Sequence, residues 1–140
     1  MSEHILVPYD GSAPSKDALE YALEKFPNAD ITALYVVPAP EGYWGAFDDG
    51  GEQATDADEA RDRGRTILEE AVETAADHGH DLGTEVTTGQ PDREIVEFAD
   101  GEYDTIVIGS HGREGVSRVL LGSVAENVVR RSPVPVAVVR

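Results

Sequence analysis

The chain has 140 residues, 40% of them hydrophobic, no cysteine, and a formal net charge of −17. That length carries one substantial core, read as a single domain over 1–140, and the absence of thiols excludes disulfides, thiolate catalysis and zinc–cysteine sites. The excess of acids, 28 Asp and Glu against two lysines and nine arginines, disfavours binding to nucleic acid or an anionic membrane; it is read as adaptation to high salt, where screening relieves self-repulsion.

The apolar runs are strand-sized, and the start, Met-Ser-Glu-His, has no basic segment before its first apolar run. No membrane span or signal peptide is therefore expected, and the expected location is cytoplasmic. Ile5-Leu-Val, bounded by Pro8, has the unbroken apolar character of a buried parallel strand. A helix then starts at Ser12 or Ala13 with Pro14 in its first turn; Ala18, Leu19, Ala22, Leu23 and Phe26 share one face, and Pro27-Asn28 stops it. Ile31 to Val37 is the second strand, closed by Pro38. The stretch 38–56, rich in Pro, Gly and acids, reads as a long loop in which Tyr43, Trp44 and Phe47 form a lid, meet a partner or pack on the domain's own helices.

Asp56 or Asp58 is expected to cap a long second helix with Ile67, Leu68, Ala71, Val72 and Ala75 on its inner stripe. His78-Gly79-His80 ends it; two histidines without a third ligand are read as a helix terminus and not as a metal site. Gly83 to Thr88 alternates in the manner of an edge strand. Gly89-Gln-Pro-Asp leads into a short helix carrying Ile95, Val96 and Ala99, and Tyr103 to Ile108 is read as a fully buried strand. A last helix, lined by Val124, Ala125, Val128 and Val129, stops at Pro133, and Val134 to Val139 closes the chain. Strands alternating with helices imply right-handed crossovers and a parallel sheet covered on both faces, a three-layer α/β/α class.

One stretch carries the chemistry. Gly109, Gly112 and Gly122, followed by Ser123, give G-x2-G-x9-G-S between a buried strand and a helix, a spacing at which backbone amides can approach an anion where a Cβ would intrude. Ser123-Val-Ala-Glu126 reads as a capping box, with Ser123 as N-cap of a helix whose positive end faces that anion. Charge agrees with this reading. Residues 109–140 hold five arginines against two acids, net +3, while residues 1–108 are net −20.

Val-Pro-Tyr-Asp-Gly-Ser at 7–12, Leu-Tyr-Val-Val at 34–37, Gly89-Gln-Pro, Ile-Gly-Ser-His-Gly-Arg at 108–113, Gly122-Ser123 and the closing Pro-Val-Pro-Val-Ala-Val-Val together resemble the universal stress protein (UspA-type) family, across essentially the whole chain. The resemblance implies a five-stranded parallel sheet of order 3-2-1-4-5, with the ligand at the switch point between strands 1 and 4. It implies ATP or AMP as the bound cofactor, with Mg²⁺ arriving alongside ATP. Carried over by position, Pro8, Tyr9 and Asp10 border the adenosine, Gly11 and Ser12 belong to the same binding loop, and Val36 contacts adenine. Gly109, Gly112, Gly122, Ser123 and Val124 then hold ribose and phosphates, with Arg113 placed to meet phosphate oxygens. The strand Val134–Val139, too apolar for an open edge, is expected to pair with its own copy in a homodimer, as the family commonly does.

Three functions follow. The first is a nucleotide-dependent regulatory module in stress response, acting on an unidentified protein partner. The second is an enzyme, at most a slow ATPase or phosphotransfer protein using His111 or Ser117; with no Walker motif and no carboxylate partner for His111, no residue is assigned to catalysis. The third is a nucleotide-free interaction protein working through the 38–56 loop.

Overall fold

The computed structural model of the protein describes residues 3–38, 51–110 and 122–140, with backbone alone over 51–57. In chain order its elements are β1 (His4–Pro8), α1 (Ala13–Lys25), β2 (Asp30–Pro38), α2 (Gly51–Asp77), β3 (Leu82–Gly89), α3 (Pro91–Ala99), β4 (Thr105–Gly109), α4 (Ser123–Arg131) and β5 (Val136–Val139). The strands pair in parallel in the order β3-β2-β1-β4-β5. This is the expected order, with helices on both faces.

The two-residue period of the strands divides the core into two layers. Ile5, Val7, Ile31, Ala33 and Val107 face α1 and α2, where Ala18, Leu19, Ala22, Leu68, Ala71 and Ala75 meet them. Leu6, Leu34, Ile106 and Ile108 face the other way, onto Ile95 and Ala99 of α3 and Ala125 and Val128 of α4. The central strands are buried on both faces, with Ile5, Leu6, Val7, Ile106 and Val107 fully enclosed. Each such side chain contributes on the order of 2 kcal/mol of transfer free energy, so the β1–β4 pair anchors the sheet.

Several boundaries differ from the sequence reading. The second helix starts at Gly51, not at Asp56 or Asp58. Glu52, Gln53 and Ala54 are good helix formers, so one helical register runs through both aspartates instead of starting at a cap. Residues 51–56 of the expected loop are therefore helical, while Tyr43, Trp44 and Phe47 lie outside the described residues. The last two strands begin two residues later than expected, at Thr105 and Val136, and of the stretch 103–108 only Ile106, Val107 and Ile108 are buried, Asp104 being exposed because its charge keeps it in water. Val72 and Val129, assigned to inner stripes, are instead exposed. Each follows a buried neighbour, Ala71 or Val128, and one residue turns about 100° around a helix, which carries it off the narrow apolar stripe.

Candidate functional site

The ladders fix where the sheet opens. Pairing of β1 with β2 continues to Pro8↔Leu34, and pairing of β4 with β5 continues to Gly109↔Val139. Between β1 and β4, register pairs stop at Leu6↔Ile106. The carboxyl ends of the two central strands thus part, and a cavity of about 690 Å³ lies over the opening. This is the switch-point position at which open α/β sheets bind ligands.

The turn after β1 forms one wall. Asp10 accepts the Ser12 amide on Oδ1 at 2.9 Å, and Gly11 between them has φ +83°, a left-handed conformation that glycine adopts freely. Ser12 then caps α1, its Oγ accepting from the Ser15 amide at 3.4 Å. Asp10 is exposed and borders the cavity. Its carboxylate is therefore both a turn residue and a wall of the site, with one oxygen held by the turn. Tyr9, just before it, is buried. Burial first, and then the carboxylates of Glu70, Asp10 and Glu20, push its phenol above the ordinary tyrosine range, which keeps it neutral.

The opposite wall is the start of α4. The sequence reading made Ser123 the N-cap; the cap is Gly122, and Ser123 is the first helical residue. The Gly122 carbonyl accepts the Glu126 amide at 2.9 Å, so Glu126 falls one position too late for a capping box. Among the described residues no side chain caps this helix. The amides of Ser123, Val124 and Ala125 consequently have no intrahelical acceptor, and all three residues line the cavity. The Gly122 amide is held by the Ser110 carbonyl at 2.7 Å, which fixes the helix start against the end of β4.

The remaining helix termini differ in this respect. At α1 the serine cap already occupies an amide, and α3 has Pro91 in its first turn. Three helix N-termini approach one cavity, and α4 offers the most open donors. Negative charge is favoured there by about 0.3–1 kcal/mol from the helix dipole alone.

Of the residues expected in the site, Pro8, Tyr9, Asp10, Ser12, Val36, Gly109, Gly122, Ser123 and Val124 line the cavity. Gly11 does not line it; a Cβ there would meet Ile67 of α2. Gly112 and Arg113, with His111 and Ser117, lie outside the described residues. Sequence reasoning missed Leu34, Pro38, Pro91, Ile95, Ile108 and Ser110, which also border the cavity. Strand alternation signals two of them, since Leu34 and Ile108 share a face with Val36. With Val36 and Ile95 they give the cavity an apolar lining toward α3, beside the polar start of α4.

His78 and His80 point their Nδ1 atoms at the Thr74 and Asp81 carbonyls. Among the described residues no three His, Cys, Asp or Glu side chains gather in a way that could hold a metal, and no helix is long and apolar enough to cross a membrane.

A family model described as the universal stress protein family matches residues 1–140. Universal stress protein MJ0531 of Methanocaldococcus jannaschii is 35% identical over 147 aligned positions, covering 97% of this chain and 81% of that protein. Universal stress protein YxiE of Bacillus subtilis is 32% identical, with 100% of both chains covered. Among solved structures, universal stress protein UspA from Lactobacillus plantarum superposes with a TM-score of 0.79 at 30% identity, covering 99% of this chain and 97% of its own. A universal stress protein in complex with cAMP superposes with a TM-score of 0.74 at 28% identity, over 99% and 97% of the two chains.

Proposed function

This chain belongs to the universal stress protein family, and we propose that it is an ATP-binding regulatory module of the stress response, a single domain whose bound nucleotide alters the surface it presents to a protein partner. The observation that carries this reading is the uncapped row of amides at Ser123, Val124 and Ala125, opening on the same cavity as Asp10. Phosphate oxygens take the amides, a carboxylate suits ribose hydroxyls or an exocyclic amine, and the apolar side between Val36 and Ile95 suits a purine. The cAMP complex of a relative with 28% identity supports an adenine nucleotide as the ligand class. ATP brings Mg²⁺ as its counter-ion. The protein acts in the cytoplasm.

We assign no catalytic residue, and any ATP hydrolysis is expected to be slow. The working assembly is a homodimer through the strand Val134–Val139. It is supported by the position of β5 at the edge of the sheet and by four consecutive half-buried apolar residues along it.

Calorimetric titration with ATP and with AMP in high-salt buffer tests the reading. One nucleotide per chain is expected, with binding abolished by Gly122→Val, whose side chain would crowd the amide row. Binding of neither nucleotide would oppose the reading, and many rapid turnovers would favour the enzyme instead. Sedimentation of the same protein tests the dimer, which Val136→Lys should dissociate.

A further inference from the structure

Glu94 lies in the first turn of α3, half-buried, and its side chain folds back over the turn that joins β3 to that helix. Thr87 faces α3, since Val86 beside it packs in the α1–α2 layer, and its hydroxyl donates to Glu94 Oε1 at 3.0 Å. The other carboxylate oxygen lies over Gly89: a Cβ built there would sit 2.6 Å from Glu94 Oε2 and 2.8 Å from Glu94 Cγ. Gly89 has φ +151°, a backbone conformation that residues with a side chain rarely adopt. A threonine and a glycine two residues apart thus fit one carboxylate.

That carboxylate holds the turn from which one cavity wall is built. Gly89 pairs with Pro38 at the end of the β2–β3 ladder, and Pro38, Pro91 and Ile95 all border the cavity. Ile95 follows Glu94, and one residue turns about 100° around a helix, so Glu94 reaches β3 while Ile95 stays buried on the cavity side. The helix α3 has only nine residues, Pro91 without an amide in its first turn, and an N-cap, Gln90, whose side chain makes no capping bond to a described residue. A helix this short depends on tertiary contacts to hold its place. The Thr87–Glu94 bond supplies one, tying its first turn to β3.

We propose that Glu94 is a positioning residue: clipped between the Thr87 hydroxyl and the Gly89 backbone, its carboxylate sets the first turn of α3, and through Pro91 and Ile95 it sets the affinity of the cavity for the nucleoside end of its ligand. The inference rests on the nucleotide reading above and deepens it, because it separates the group that seats the base wall from the amides that seat phosphate. Glu94 acts through its neighbours and does not itself border the cavity.

The test titrates wild type, Glu94→Ala, Thr87→Val and Glu94→Gln with adenosine, AMP and ATP, and records the thermal midpoint of each ligand-free protein. A hydrogen bond to a charged group shifts an equilibrium by about tenfold or more, and apparent affinity falls with the fraction of molecules whose wall is in place. Glu94→Ala and Thr87→Val should therefore weaken all three ligands by one common factor, about three- to tenfold, so that the ratio of ATP to adenosine affinity keeps its wild-type value. The two changes in one chain should cost no more than either alone, because they break the same clip. Glu94→Gln keeps an acceptor oxygen for Thr87 and the shape over Gly89, and should bind as wild type does. Lowered midpoints with unchanged affinities would make Glu94 a purely structural residue and overturn the proposal. A loss confined to AMP and ATP would overturn it too, since the carboxylate would then act at the phosphate end, and so would a loss in Glu94→Gln equal to that in Glu94→Ala. If Glu94→Ala fails to fold, the near-isosteric Thr87→Val decides the question by the same criteria. A wild-type protein that binds none of the three overturns the nucleotide reading itself, and the assignment of Glu94 with it. Wild-type binding that Glu94→Ala and Thr87→Val leave intact overturns Glu94 alone.

Discussion

Gly109 lies directly against Pro14: a Cβ on Gly109 would sit 2.5 Å from the Pro14 carbonyl oxygen and 2.8 Å from its Cβ. Glycine is thus required at the end of β4 by the close approach of α1, whatever else the glycine loop does. Gly109→Ala must push the first turn of α1 outward or bend β4, and overpacking of this kind costs about 1–3 kcal/mol. Chemical denaturation should show a loss in that range. Nucleotide affinity should fall with it, because Pro14 and Gly109 both border the cavity.

Gly64 performs the same service for α2, on the same face of the sheet. A Cβ there would lie 2.4 Å from Cδ2 and 3.0 Å from Cγ of Tyr35, atoms near the root of the ring that cannot swing away. Gly64→Ala should destabilise the protein by about 1–3 kcal/mol, although alanine has the higher helix propensity. Tyr35→Leu should recover part of that loss, and a double-mutant cycle in urea measures the coupling.

Tyr9 gives a pH dependence at the alkaline end. Its folded-state pKa lies above the unfolded value of about 10, so the native protein holds the phenolic proton after the unfolded chain has released it. Stability from this group is intact below about pH 10 and declines as pH rises past that value. In Tyr9→Phe the decline between pH 9 and 11 should be shallower than in wild type, with little change at pH 7. Urea midpoints across that range check both statements; equal slopes would oppose the assignment.

The charge of −17 sets a salt dependence. Self-repulsion is screened over about 10 Å at 0.1 M salt and about 3 Å at 1 M. The thermal midpoint should therefore rise steadily as sodium chloride is raised from 0.1 to 1 M. A flat or falling midpoint would mean that attractive ion pairs dominate. The described pairs argue against that, because Arg65–Asp62 and Arg130–Glu126 are both solvent-exposed, where such pairs contribute little.

The sheet was legible because its central strands are short, apolar and buried on both faces, and because proline or glycine marks most of their ends. Strand order is not contained in that pattern; it came from the family resemblance. The start of α4 was misread because Gly122 and Ser123 both suit an N-cap, and Glu126 suggested the serine. Only the extended backbone of Gly122 (φ −65°, ψ 158°) decides between them. The correction matters for the site, since a serine cap would have consumed an amide that is now open. Ser110 stands inside the quoted stretch 108–113, but nothing in that pattern shows it to be buried, and its backbone bonds run to Val139 and Gly122, outside the stretch. Val72 and Val129 were misplaced because valine next to a buried residue looks apolar in any window, whereas the helix turns it outward.

Release of bound nucleotide from freshly purified protein, identified by mass spectrometry after denaturation in parallel with a titration of the emptied protein, tests the central claim most directly. An adenine nucleotide at up to one per chain, rebinding to wild type but not to Gly122→Val, is the result expected. No released nucleotide, together with no titratable affinity for ATP or AMP in high salt, would contradict it.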